Sequence, residues 1–306
     1  MSTRNAVLSS VAIVISIIAI GLAINAMITK SDSSSDSSSD SSCVHTLPDL
    51  SKFMISKVTT QNFVVAGEQT YTVPNNCKMV QVELLGGGGG SGAFRRLPTN
   101  TAGFGGAGGG AGYVKFFLTA ELLGSKALVL NIGEGGRAGQ NGDEVTDEEV
   151  NGQEGQPTEL LKFGIAFGGA GGKGMATTLD FAGRLSPGGI GGNGEITIYD
   201  EGLTPYPIIS GANAGMSTGF RPTYTDGEDP RDIAFISCAP GGNSFYGYGG
   251  TSETIMDKQT SFLVVLGKDG QSYGGGASGS GGSGVAGGKN TGHTGASGAA
   301  FFTEYY

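Results

Sequence analysis

The sequence predicts an all-β protein, a jelly-roll or sandwich-like domain, and three observations carry that reading. Glycine supplies 59 of the 306 residues, against a usual share of about 7 %. Glycine weakens a helix by roughly 0.5–1 kcal/mol per residue relative to alanine, so long helices are excluded over most of the chain. Between the glycines lie short apolar runs of strand period, bounded by turn residues. Proline is too scarce, at 10 residues, for collagen, which needs roughly 15–20 %.

The first element is an exception to the β pattern. Ala6 to Ile28 carries no charge. As a helix its 23 residues would span about 34 Å, enough for a hydrocarbon core of roughly 30 Å. It is expected to be a single transmembrane helix. Residues 1–5 form a short inside tail in a type II orientation, and the membrane is that of a virion or a host. The apolar run exceeds the roughly 7–15 residues of a signal peptide core. Residues 29–43 follow as a Ser/Asp-rich linker. SDSSSDSSSDSS at 31–42 has nothing to bury and is expected to stay solvated.

The glycine-rich β domain is expected over 44–306. Its first clear strand is Lys78 to Leu85, with Val80, Val82 and Leu84 on one face and Gln81 and Glu83 on the other. Ala127 to Ile132 places Leu128, Leu130 and Ile132 together. Glu195 to Tyr199 pairs Ile196 with Ile198, and Asp232 to Ser237 pairs Ile233 with Phe235. Ser261 to Leu266 is apolar throughout, and Ala299 to Tyr306 closes the chain with two aromatic pairs. Glycine recurs every third residue at Gly103, Gly106, Gly109 and Gly112, and again at Gly133, Gly136, Gly139 and Gly142. Shorter runs are Gly168, Gly171, Gly174 and Gly188, Gly191, Gly194. A polyglycine-II-type helix has 3 residues per turn, so this period leaves a face bare of side chains on which backbones can meet. Glycine-rich loops with merely local enrichment are the alternative.

The order of these elements resembles a known family. A strand ending VPNNCKMVQVELLGGGGGSG is followed by GFGGAGGGAGYVKFFL and LVLNIGEGGRAGQNG. GQPTELLKFGIAFGGAGGKG, APGGNSFYGYGG and the terminal GASGAAFFTEYY come after. The pattern is similar to the glycine-rich domain of bacteriophage tail-fibre proteins and giant DNA virus proteins, from about Phe63 to Tyr306. The resemblance implies a compact β domain used as a structural or receptor-facing part of a virion, without catalytic residues. By analogy with fibres it implies a homo-oligomer, a trimer. The apolar amino terminus and an insertion at about 199–231 depart from phage fibres.

The functional expectation is a non-enzymatic, membrane-anchored structural protein, a virion component linking or decorating membrane and capsid. Its partners would be lipid and other virion or capsid proteins. The alternative is a receptor-binding adhesin holding host glycan or protein through Asn243, Phe245, Tyr246 and Tyr248. The net charge of −9 disfavours nucleic acid, which calls for a basic patch. No cofactor is expected. Calcium could sit on Asp143, Glu144, Asp147, Glu148 and Glu149, or on Asp226, Glu228, Asp229 and Asp232. Neither cluster has EF-hand spacing, and solvated acidic loops are the alternative. His45 and His293 have no Cys or His at ligand spacing. Gly215-Met216-Ser217-Thr218-Gly219 matches the hydrolase elbow, but its strand–turn–helix context is missing. Cys77 and Cys238 flank strands and could form a disulfide in an oxidising space, or remain two buried thiols. No N-x-[ST] sequon occurs.

Overall fold

Alternating apolar residues place two sheets face to face at the first end of the protein. In the computed structural model, residues 55–93, 101–123, 127–140, 150–174, 184–197, 208–220, 235–257, 262–284 and 292–306 are described. One sheet is formed by β1 (Val58–Phe63), β3 (Met79–Leu85), β5 (Tyr113–Thr119) and β16 (Ala299–Tyr305), in the order β1-β16-β3-β5. The other joins β2 (Gly67–Thr72), β6 (Ala127–Ile132), β7 (Thr158–Leu160), β8 (Gly164–Ala166) and β10 (Gly194–Ile196), in the order β10-β8-β7-β6-β2. Every pairing in both sheets is antiparallel.

Val80, Val82 and Leu84 of β3 meet Val114, Phe116 and Leu118 of β5 in one buried cluster. Leu130, Ile132 and Leu160 close it from the facing sheet. Tyr71 stacks on Phe302 with ring centroids 4.0 Å apart, and Phe63 stands edge-on to both. Aromatic pairs in such geometries add about 0.5–1.5 kcal/mol beyond the area they bury.

A second, smaller pair of sheets lies at the other end. One has the order β12-β11-β9, from β9 (Arg184–Ser186), β11 (Ser217–Phe220) and β12 (Phe235–Ser237). The other has the order β13-β14-β15-β4, from β4 (Thr101–Phe104), β13 (Glu253–Asp257), β14 (Phe262–Leu266) and β15 (Gly281–Gly284). They touch where β11 meets β4 and where β12 meets β14 and β15.

The glycine segments run between the two ends as packed extended helices, not as loops. In 86–93 the N–H groups turn to a new neighbour at each residue and return every third. Gly86, Gly89 and Gly92 donate to the carbonyls of Gly112, Gly109 and Gly106. Gly87, Gly90 and Ala93 donate to Gln156, Gln153 and Val150, while Gly88 and Ser91 donate to Ala296 and His293. The carbonyls of 86–93 receive N–H groups from 133–140, 167–174 and 273–280. Six segments therefore surround this one, which is the hexagonal packing of polyglycine II. Segment 105–112 is surrounded in the same way, donating to 273–280, 167–174 and 212 and accepting from 86–93, 187–193 and 242. With about 3.1 Å of rise per residue, eight residues give a layer about 25 Å deep.

Composition follows position in this lattice. The two central segments read GGGGGSGA and GGAGGGAG, because every face meets a backbone. At the periphery, 133–140 needs bare residues only inward. Gly133, Gly136 and Gly139 are buried while Glu134, Arg137 and Gln140 are exposed. Unusual backbone angles do not explain this glycine. Among the described residues positive φ occurs at just two glycines, Gly67 (φ 110°) and Gly274 (φ 74°). Elsewhere the missing Cβ is what the position requires. A methyl built on Gly87, Gly89, Gly108 or Gly110 would overlap a neighbouring carbonyl.

One expectation is corrected. No helix among the described residues is long and apolar enough to cross a membrane. The helix α1 (Ala120–Leu123) has 4 residues. Residues 6–28, assigned from sequence to a transmembrane helix, lie outside the described residues, as do the inside tail and the linker. The fold is therefore all-β without a supported transmembrane span, and a single-pass membrane location is not supported. The expected strand pair at Ile196 and Ile198 is observed as far as Ile196, and Ile233 lies outside the described residues.

Candidate functional site

The polar row of β3 does not face water. Glu83 is 7 % exposed on the outer face of the first sheet. A buried carboxylate needs partners for its lone pairs, and Glu83 has four. Its Oε2 accepts from the hydroxyls of Tyr113 at 3.0 Å and Tyr246 at 2.6 Å. Its Oε1 accepts from Nε2 of Gln81 at 2.6 Å and lies 3.6 Å from Nζ of Lys115. Antiparallel register sets Lys115 directly across from Glu83. Burial and the Glu83 charge push the Tyr113 and Tyr246 phenols well above their ordinary range.

The turn at 243–248 forms the lid over this carboxylate. Asn243 Oδ1 accepts from the Gly249 N–H, and Ser244 Oγ accepts from the Gly247 N–H, both at 2.8 Å. Ser244 also donates to the Tyr273 carbonyl. Phe245 stacks on Tyr113 at 4.2 Å between centroids, and Tyr246 stands edge-on to Tyr113, Phe245 and Phe301. Of the four contact residues expected from sequence, Asn243 is used to hold the turn. Phe245 and Tyr246 are half in the aromatic stack, and Tyr248 projects at 72 % exposure.

A second buried carboxylate, Glu304 on β16, is 2 % exposed. It accepts from Thr59 Oγ1 at 2.5 Å, Gln61 Nε2 at 2.6 Å, Tyr71 hydroxyl at 3.0 Å and Tyr306 hydroxyl at 2.9 Å. Neither carboxylate stands out in the sequence as a buried group. The one signal for them is an acidic residue amid apolar neighbours on a strand.

The glycine layer carries side chains on its outer rows. Ile190 is 69 % exposed in 187–193, and Met216 is 60 % exposed at the end of 209–216. Phe167 and Ile208 are exposed as well; Phe167 donates its N–H to the Asn193 carbonyl, and Ile208 lies beside Gly194. These apolar side chains are spread along the outer rows, with Ile208 and Met216 at opposite ends of 208–216.

Cys77 and Cys238 do not pair. Both are free, buried thiols. Cys77 enters β3 at the first end, its Sγ donating to the Met79 carbonyl at 3.2 Å. Cys238 follows β12 at the second end, so the glycine layer separates them. Burial pushes the Cys77 thiol up and the Cys238 thiol up to about 12. Ser217 opens β11 as a buried strand residue, its Oγ accepting from the Ala239 N–H at 3.2 Å, so the elbow context is not met. Both acidic clusters considered for calcium lie outside the described residues, and no group of side chains able to hold a metal ion occurs among the described residues. His293 belongs to segment 292–298, where its carbonyl accepts from Ser91 and its ring approaches Asp269.

A family model for a glycine-rich domain matches residues 63–305. No curated protein matches the chain.

Proposed function

From the premise that this chain belongs to the glycine-rich domain family, we propose that it is a non-enzymatic structural protein of a virus particle. The observation that carries this reading is the glycine layer. Its middle is backbone locked to backbone, so it offers stiffness and surface and leaves little interior room for a substrate. Ile190, exposed on an outer row of the layer, is the contact point for a neighbouring particle protein. Purified particles from the source are the test. The protein should co-purify in fixed ratio to the major particle protein, and Ile190→Asp should abolish its incorporation while leaving the fold intact. Absence from particles overturns the reading.

Receptor binding is the second reading, favoured by Tyr248, an exposed aromatic on a turn held by side-chain bonds. Such residues make good contact points. Residues 55–306 should then bind host cells, and Tyr248→Ala should weaken that binding.

A further inference from the structure

We propose that Lys115 and Gln81 are joined by an isopeptide bond formed by the protein itself, with Glu83 as the acid–base group. The three residues share the outer face of the first sheet. Lys115 stands opposite Glu83, and Gln81 lies two residues along β3, diagonal to Lys115. One carboxylate oxygen serves both reacting groups. Glu83 Oε1 is 2.6 Å from the Gln81 amide nitrogen and 3.6 Å from the Lys115 amine. The other oxygen is clamped by the hydroxyls of Tyr113 and Tyr246, which fixes the carboxylate and aims Oε1. Gln81 Oε1 faces the Tyr305 hydroxyl at 3.4 Å, a donor for the charge that develops on that oxygen during attack. Phe117, opposite Gln81 and tilted against Tyr305, helps to limit water at the site.

The step balances without a co-reactant. Glu83 takes a proton from the Lys115 ammonium, and the freed amine adds to Cδ of Gln81. Glu83 returns the proton to Nε2, the Cδ–Nε2 bond breaks, and ammonia leaves with the remaining proton as ammonium. A secondary amide then ties β3 to β5. The carboxylate emerges unchanged, and the reaction runs once per molecule. General acid–base groups act from hydrogen-bond reach, which Oε1 has for the leaving nitrogen.

Tryptic digestion of the full-length chain, followed by tandem mass spectrometry, tests the proposal. The peptides holding Gln81 and Lys115 should appear fused, lighter than their sum by one ammonia, with no cleavage after Lys115. Recovery of both as separate, unmodified peptides overturns the bond. Glu83→Gln should give separate peptides, and fusion in that variant overturns the role of Glu83. Lys115→Arg keeps the charge opposite Glu83 and so guards against misfolding. It should fold, give separate peptides and melt several degrees lower, whereas an unchanged melting temperature overturns the bond.

Discussion

At Gly109 a single methyl group decides whether the lattice closes. A Cβ there would fall on the Ile190 carbonyl, and no flexible side chain is available to yield. Gly109→Ala should destabilise the protein by about 3 kcal/mol, the cost of overpacking a rigid interior. Gly215 meets nothing closer than the Ala239 methyl at 3.0 Å, so Gly215→Ala should stay within about 1 kcal/mol. Chemical denaturation of the two variants beside the parent checks both. The buried thiols make a second residue-scale test. Burial keeps the Cys238 thiol protonated up to about pH 12, so neither its access nor its charge favours alkylation. Cys77 and Cys238 should label with iodoacetamide only after unfolding, and fast labelling of the native protein would contradict their placement.

Among the elements, β16 is the strand on which the first sheet depends. It lies between β1 and β3, and its Glu304 gathers four donors from β1, β2 and its own end. Glu304→Ala would leave the Tyr71 hydroxyl and the Gln61 amide without their acceptor. Stranded buried donors cost about 1–3 kcal/mol each, so a loss of about 3 kcal/mol is expected, with Thr303→Ala near neutral. Thermal melts of the two variants give the comparison. Strands β3 and β6 show what could be read in advance. The alternation of Val80, Val82 and Leu84, and of Leu130 and Ile132, named the core faces because apolar burial has a period of two. The glycine period at 133, 136 and 139 named a bare helix face for a similar reason. Other features depend on contacts distant in sequence. Glu83 looks like a solvent-facing residue until Tyr246, far along the chain, covers it. Asn243 and Tyr246 look like contact residues until the turn is seen to use them on itself. In the central segment 86–93 glycine is too dense for any period to stand out, since all its faces are packed.

For the whole molecule, the buried phenols set a limit at high pH. Burial foremost, then the charges of Glu304 and Glu83, raises Tyr71, Tyr113 and Tyr246 above the ordinary value of about 10. In the unfolded chain they ionise near pH 10, and in the fold they stay protonated. Their contribution is therefore fully present below about pH 10 and is lost as pH rises beyond it. Urea midpoints should hold steady from neutrality to about pH 10 and then fall, and a midpoint that rises above pH 10 would refute this. Replacing all three by phenylalanine should flatten the decline. The lattice itself has a reading frame. Each N–H in 105–112 points about a third of a turn from the last. Deleting one residue would send every later donor to the wrong neighbour, whereas deleting three would shorten the helix by one turn and restore each pairing direction. Insertions and deletions in these segments are thus sorted by threes, as in a coding sequence, for a reason that lies in the geometry of the backbone.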